Sequence, residues 1–416
     1  MERILACYKS RRRTCASESS LGNILWLIGA ILAPLAWVIP HQMGVGHDMT
    51  PLAASLLSGV AIVGSAFLLT WATELAEQDI PPAFALVVLA LISVLPEYAV
   101  DMTFAWNAGK DPTYLPYAVA NMTGANRVLI GIGWSSVVFL ACFREKKREI
   151  EVSPDRRLEL GFLLVATIFS FVLPVFGELG LFHSLVFILI FLGYVWASLK
   201  TGGEEHPLVG PAALVDSETG VVTRWVAVAG FLVYACVAIW WSAEPFAEGL
   251  VEVGRGMEID EFILIQLVAP LASESPEFIV ALLFVLRHRT STALGALLSS
   301  KVNQWTLLVG FIPIVYSLSL GEAAAMPLDG RQIEELLLTS SQSLFAIAIL
   351  SNLRFTVWEA GVLFVLFVAQ WFFHGEAARY TFSAIYLLLV LGVGLATAQR
   401  RKQIAGLLRL GRWSSS

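Results

Sequence analysis

Ser93-Val94-Leu95-Pro96-Glu97 and Ser273-Glu274-Ser275-Pro276-Glu277 each set a Pro-Glu pair inside an otherwise apolar run, one in each half of the chain. A proline removes a backbone donor and leaves the carbonyl four residues earlier without its partner. The glutamate that follows puts an ionisable oxygen beside the break. In lipid, such a break persists only where protein or a wet cavity satisfies the freed groups. Two of them in one chain point to a cation site between two related halves, with Pro96 and Pro276 as the helix breaks.

The sequence around these segments is that of a membrane protein. Of 416 residues, 57% are hydrophobic and only 14% are charged, with a mean hydropathy of +0.73. Soluble domains carry about 25% charged residues. Apolar runs of ~20 residues, enough to cross the hydrocarbon, recur twelve times. The first six cover 22–40, 52–75, 81–107, 113–141, 158–177 and 181–199. The second six cover 222–246, 258–287, 291–318, 334–352, 356–373 and 379–398. The fold class expected is an all-α polytopic membrane protein of about twelve transmembrane helices. The first run has the basic lead of a signal peptide, but it is long, contains Pro34 and Trp37, and lacks a small-residue cleavage site. It reads as a retained span.

Basic residues sort the loops. They cluster in the N-terminal tail (Arg3, Lys9, Arg11, Arg12, Arg13), after the fourth span (Arg144 to Arg157), after the eighth (Arg287, Arg289) and in the C-terminal tail (Arg400 to Arg412). Twelve spans put all four clusters on one side, which the positive-inside rule makes cytoplasmic, as for a prokaryotic inner membrane. The opposite loops hold isolated Lys110, Arg255, Arg331 and Arg379. Residues 200–221 form the longest polar stretch between the halves, a linker too short for a regulatory domain. Spans two to six match spans seven to eleven in order. Five is odd, so the second unit enters from the opposite side and the repeat is inverted. The organisation expected is a tail plus extra first helix (1–51), a first repeat (52–199), the linker, a second repeat (222–373), and a last helix with basic tail (374–416). Broken helices would meet at the midplane of this ten-helix core.

Six charged residues are placed toward mid-membrane: Glu97, Asp101, Arg127, Glu274, Glu277 and Lys301. Each costs ~2.5–3.5 kcal/mol at mid-membrane on insertion scales. Unpaired, they would exceed a domain's usual net stability of ~5–15 kcal/mol. They must neutralise one another, bind ions or line water. Glu97 and Asp101 are four apart and share a helix face; Glu274 and Glu277 are three apart and do the same. Arg127 and Lys301 sit on the spans that follow. Face-to-face packing of the repeats would bring four acids to two bases. The following spans also carry Asn121, Asn126, Ser299, Ser300, Asn303 and Gln304, whose hard oxygens suit Na⁺ or Ca²⁺. Glu74, Glu77, Glu244, Glu248, Asp260 and Glu261 lie near span ends and read as solvated interface.

This ordered set resembles the calcium/cation antiporter superfamily, to which the sodium/calcium exchangers belong. Their repeats pair a Gly-Thr-Ser-x-Pro-Glu segment with a Gly-Asn-x-x-Gly-Ser-Asn segment. Glu97 and Glu277 fall on the two family glutamates, and Ser93 and Ser273 on the Thr position. Asn121, Gly124 and Asn126 match the second segment of repeat one; Gly295, Ser299 and Ser300 match that of repeat two. The chain departs from the pattern at Asp101, Arg127, Glu274, Ala296 and Lys301. A fixed ammonium at Lys301 acts as a tethered ion, repels Ca²⁺, and sets the chain apart from ordinary Na⁺/Ca²⁺ exchange.

The resulting expectation is a secondary active antiporter, not an enzyme, exchanging Na⁺ (or Ca²⁺) for H⁺ by alternating access. Glu97 and Glu277 are the metal-ligand candidates, completed by Asp101, Glu274, Asn121, Asn126, Ser93, Ser273 and Ser300, with Lys301 and Arg127 tuning charge. The partners expected are the bilayer, small inorganic cations and protons, with no nucleic acid and no cofactor beyond the transported ions. Two rivals keep the fold: a Na⁺/Ca²⁺ exchanger proper, and a non-transporting sensor or scaffold with a salt-bridged site. An intramembrane hydrolase lacks its motifs, as no HExxH or Gly-x-Ser-x-Gly occurs. Cys7, Cys15, Cys142 and Cys236 form no metal or disulfide pattern. Asn121-Met122-Thr123 matches a glycosylation sequon but falls inside the membrane.

Overall fold

A computed structural model of the chain describes residues 20–45, 49–76, 78–79, 95–201, 208, 210–218, 220–258, 260–373, 375–396 and 398–408. Long apolar helices dominate it, in the order the hydropathy pattern predicts. They are α1 (Ser20–Gln42), α2 (Pro51–Ala76), α3 (Leu95–Lys110), α4 (Leu115–Val128), α5 (Ser135–Glu145), α6 (Arg157–Ser170), α7 (Val172–Phe176) and α8 (Leu181–Thr201). A short α9 (Pro211–Glu218) follows, then α10 (Val221–Met257), α11 (Glu261–Leu286), α12 (Thr290–Asn303), α13 (Val309–Leu320), α14 (Gly330–Leu350), α15 (Val357–Ala369), α16 (Glu376–Ala396) and α17 (Ala398–Leu407).

Among the described residues, nine helical stretches are long and apolar enough to cross a membrane. α11 makes a tenth if its two arms count as one span, since Glu261–Ser275 and Glu277–Leu286 are inclined by 54°. α15, with 13 residues, is short for a crossing. The N-terminal half of the third expected span lies outside the described residues, together with Ser93, Glu77, Cys7 and Cys15. The outer surface is apolar, as lipid requires: Phe143, Trp240 and Trp358 are each at least 80% exposed. The linker is not wholly irregular, because Pro211 opens α9 and Arg224 of α10 pairs with Asp216 on it and with Asp79 beyond α2.

Two features of the bundle repeat. α4 passes into α5 through a π-helical turn, Leu129–Trp134, and α12 passes into α13 through another, Gln304–Leu308. Each span that follows a Pro-Glu helix is therefore interrupted in its middle third. π-turns leave backbone groups out of the regular ladder and cluster at functional sites. Pro96 occupies the first turn of α3, where its missing N–H costs nothing.

Small antiparallel ladders tie the ends of the bundle. β1 (Glu149–Glu151) pairs with β4 (Arg354–Thr356), aligning Ile150 with Phe355. β2 (Glu178–Leu179) pairs with β3 (Met326–Pro327). The Ser153 amide donates to Ser291 Oγ at 3.1 Å, joining the loops after α5 and α11. Asp260 and Arg331 pair at 2.7 Å, joining the loops before α11 and α14. Loops thus segregate by parity, and the end that holds β1 and β4 is the basic one. Helix starts are fixed locally. Asp329 and Gln332 form a capping box on α14, Thr356 and Glu359 one on α15, and Asp260 caps α11.

The core lies between the repeats. α2 packs along α10, where Gly59 faces the Phe246 ring and Gly249 faces Ser55. The closest crossing is α4 against α11: a Cβ added at Gly124 would stand 2.0 Å from the Gln266 carbonyl oxygen. Neither backbone can yield without moving the polar residues beside it. Small residues permit such approach between membrane helices. Gly124→Ala is expected to cost about 1–3 kcal/mol by overpacking, read as a lower thermal midpoint in detergent. A melting curve superimposable on that of the wild type would refute this crossing.

Candidate ion-binding site

The acids of the two Pro-Glu helices meet. Glu97 lies within electrostatic reach of Glu274, Asp101 and Glu277. Its position follows from α3 starting at Leu95, which puts Glu97 in the first turn and Asp101 one turn later on the same face. Glu97 (2% exposed), Asp101 (0%) and Glu274 (2%) are buried, while Glu277 is partly exposed. Asp101 Oδ1 accepts from Asn121 Nδ2 at 2.9 Å. Glu277 Oε2 accepts from Ser300 Oγ at 2.7 Å. Each acid bond thus runs from a Pro-Glu helix to the polar span after it, α3 to α4 and α11 to α12. Tyr98 links the halves, donating to Asn303 Oδ1 at 2.8 Å.

Several buried oxygens have no hydrogen-bond partner among the described residues: Glu97 Oε1, Asp101 Oδ2, Asn121 Oδ1, both oxygens of Glu274, and Gln304 Oε1. Buried polar atoms are almost always satisfied. An acceptor-only set of this kind, drawn from carboxylates and amides, is suited to a hard cation, a proton or water. No three His, Cys, Asp or Glu side chains among the described residues are drawn together as a preformed metal cluster. The unpartnered oxygens are mixed, carboxylate and amide together.

The two bases behave differently. Lys301, 1% exposed, sends its ammonium to Asn126, donating to the backbone oxygen at 3.1 Å and to Oδ1 at 2.6 Å. The Trp305 ring lies beneath it, with its centroid 4.8 Å from Nζ. Lys301 remains within electrostatic reach of Glu274 and Glu97 without forming a close pair with either. Arg127 does not join the acids, as sequence spacing suggests it would. It turns outward, pairing with Glu335 at 2.7 Å and donating to Gln370 Oε1 at 3.1 Å. The guanidinium fork needs several acceptors in one plane, and α14 and α15 supply them.

The remaining candidates take up local roles. Ser273 Oγ donates to the carbonyls of Ala269 and Pro270 in its own helix. Asn126 Nδ2 donates to Met122 O, leaving Oδ1 to Lys301. The side chain of Pro276, like Ser93, lies outside the described residues. Asn121 is fully buried, no place for a glycan. Glu74 is buried, not solvated, whereas Glu244, Glu248 and Asp260 are exposed. Sequence reasoning passed over Gln266, Glu334 and Glu335, and named Gln304 only among the hard oxygens of its span. Gln304 stands beside both Glu97 and Glu274, and its place one turn beyond Lys301 was a usable signal. Gln266 donates to Thr123 Oγ1 at 3.3 Å and to Glu335 Oε2 at 3.0 Å. Glu334 and Glu335 stand at the very start of the tenth apolar run, where span boundaries are least sharp.

Comparison with known proteins places this arrangement. The family model described as sodium/calcium exchanger protein matches residues 50–200 and 227–374, one match over each half. The crystal structure of the H⁺/Ca²⁺ exchanger CAX is similar at a TM-score of 0.88 and 46% identity, covering 93% of this chain and 97% of that one. Native YfkE is similar at a TM-score of 0.61 and 16% identity, covering 88% of this chain and 99% of that one. The sodium-calcium exchanger NCX_Mj is similar at a TM-score of 0.51 and 16% identity, covering 77% and 97%. The last two likenesses speak to fold alone. No curated protein sequence matches the chain. With the family model spanning both halves and the CAX likeness running almost end to end, the chain belongs to the sodium/calcium exchanger family of membrane cation antiporters.

Proposed function

We propose that the chain exchanges Ca²⁺ for H⁺ by alternating access, with Glu97 and Glu277 binding the cation and the protons in turn. The observation that carries this reading is the set of unpartnered buried oxygens on Glu97, Asp101, Glu274 and Asn121. Four ionised acids and one ammonium leave a formal charge of −3 in a dry interior. A divalent ion reduces it to −1, and protons complete the balance in the other half of the cycle. Uncompensated charge there costs several kcal/mol per ion, so release of one species requires uptake of the other.

The choice of Ca²⁺ over Na⁺ rests on Lys301. Its ammonium is engaged by the two Asn126 oxygens, so it does not fill the space between the carboxylates as a tethered ion. The likeness to a protein named as an H⁺/Ca²⁺ exchanger supports the same choice. Asp101, Asn121, Ser300 and Gln304 complete the coordination in this reading. Asn126 becomes available only when Lys301 leaves it. The chain would carry two inverted repeats, 52–199 and 222–373, with the first and last spans outside them. Its basic loops would face the cytoplasm.

In proteoliposomes, an outwardly directed proton gradient is expected to drive Ca²⁺ uptake, measured with a radioactive tracer. Glu97→Gln and Glu277→Gln should each reduce it to the level of empty liposomes. Uptake driven by a Na⁺ gradient and indifferent to pH would make the chain a Na⁺/Ca²⁺ exchanger instead, and no uptake under any gradient would support a scaffold.

Lys301→Met gives a separate check. Removing the ammonium leaves the acids one positive charge shorter, so the folded state depends more on a bound cation. Added Ca²⁺ should then raise the melting temperature of Lys301→Met more than that of wild type. Equal Ca²⁺-induced shifts in the two proteins would rule this account of Lys301 out.

A further inference from the structure

Where α11, α14 and α16 begin, at the less basic end of the bundle, a cavity of about 250 Å³ opens. Its lining holds three guanidiniums, Arg127, Arg331 and Arg379, against two carboxylates, Asp260 and Glu335. Glu334, which Arg379 binds at 2.7 Å, stands outside the lining. A guanidinium is a donor-only group with five N–H bonds, so this wall is richer in donors than in acceptors. The excess is visible atom by atom. Arg127 engages Gln370 and Glu335 through its two terminal nitrogens, while its Nε is buried and has no partner among the described residues. Arg331 engages Asp260 at 2.7 Å through Nη2 and lies over the Phe262 ring, 4.0 Å from its centroid. Its Nε is likewise buried and unpartnered among the described residues. Buried donors are nearly always satisfied. Two of them on the lining residues of one cavity call for an acceptor from outside the chain.

The backbone adds charge of the same sign. α11, α14 and α16 direct their N-termini to this end, with Asp260, Arg331 and Gly375 in the lining. Helix N-termini carry partial positive charge and favour anions. Asp260 and Asp329 cap the first two. The rest of the wall is apolar and continues toward lipid. Trp371, Phe373 and Phe382 line it, the rings of Phe373 and Phe382 lie 6.3 Å apart, and Phe373 is 63% exposed. α16 is the outermost wall, since only 11% of its apolar window is buried.

We propose that this cavity binds an anionic phosphate group, carried by a phospholipid headgroup of the adjoining leaflet or taken from solution. Arg331 and Arg379, the partly exposed bases, receive the phosphate, and the two free Nε–H groups donate to it directly or through ordered water. The two lining carboxylates do not expel it, because each is already held: Asp260 by Arg331, and Glu335 by Arg127 at 2.7 Å and Arg379 at 3.7 Å. The aromatic wall favours the headgroup over the free ion, since it offers the first methylenes of an acyl chain a surface that continues into the bilayer. The site is separate from the acids of the two Pro-Glu helices and independent of the ion they carry.

Ligand-dependent melting tests this without transport. In Ca²⁺-free buffer, short-chain phosphatidylglycerol, short-chain phosphatidylcholine and inorganic phosphate are each titrated onto the delipidated full chain in detergent. Phosphatidylglycerol should raise the melting midpoint saturably, and phosphatidylcholine should not. Arg331→Gln and Arg379→Gln should each need about tenfold more phosphatidylglycerol for half the shift, the scale of one lost charge-assisted hydrogen bond. Arg331→Lys keeps the charge but not the planar fork; it should weaken binding in the same direction and serves if the glutamine variants do not fold. A saturable shift with inorganic phosphate alone keeps the site and assigns its ligand to solution. No saturable shift from either phosphate source, a shift that phosphatidylcholine matches, or one that none of these substitutions weakens overturns the proposal.

Discussion

Carboxylates taken out of water must be answered by an equal positive charge, and the structure supplies too little of it. Glu97, Asp101 and Glu274 are almost fully buried, and their one nearby ammonium is occupied by Asn126. Breaking a buried pair costs several kcal/mol because the remaining charge has no solvent. A site left short of charge by its own fold has to recruit it from solution. That deficit makes the helix breaks, the close crossing at Gly124 and the polar turns parts of one device.

The breaks follow from what an α-helix can present. A continuous helix hides its backbone groups and shows only side chains; a broken or π-interrupted one also offers carbonyls and lets side chains change direction. Both spans after the Pro-Glu helices are interrupted by a π-turn, at Leu129–Trp134 and Gln304–Leu308. The second begins at Gln304, which stands beside Glu97 and Glu274. The interruption therefore sits at the acids' own level. It orients an amide toward them that a regular helix would hold on a fixed 100° step. On the other span, Gly124 lets α4 approach the α11 backbone, and Asn121, one turn earlier on α4, donates to Asp101 of α3.

Much of this was legible in order along the chain. Among the described residues, nine helices long enough to cross a membrane, ten with the bent α11, coincide with apolar runs. The Pro-Glu pairs identified the two helices whose acids meet, because i, i+3 and i, i+4 spacing fixes a face regardless of context. Pairings between distant elements were not legible. Arg127 was expected among the acids, yet its partner is Glu335, more than two hundred residues away. Nothing in local sequence says which of several acids a guanidinium will find, since that depends on helix rotation set by packing. Glu334 and Glu335 stand at the start of the tenth apolar run, but the capping box at Asp329 begins the helix earlier, and both are buried. The π-turns share no signature: the first holds Gly131 and Gly133, the second neither glycine nor proline.

The two bases lie near the ends of α4 and α12, Lys301 at the position that Asn126 holds in the first half and Arg127 one residue beyond it, and their divergence bears on coupling. Arg127 offers five donors in a rigid fork and settles where Glu335 and Gln370 accept them together. Lys301 offers a compact charge and needs only the two oxygens of Asn126. Asn126 belongs to the first half and Lys301 to the second. An oxygen donor of one repeat is thus masked by a base of the other. A cation that claims Asn126 would displace Lys301, whose ammonium already lies within the field of Glu274 and Glu97. There it opposes a second cation and favours discharge of the first. In this arrangement Lys301 acts as a counter-ion held in reserve. Its two resting places, on Asn126 or against the acids, would correspond to the cation-free and cation-loaded halves of an exchange cycle.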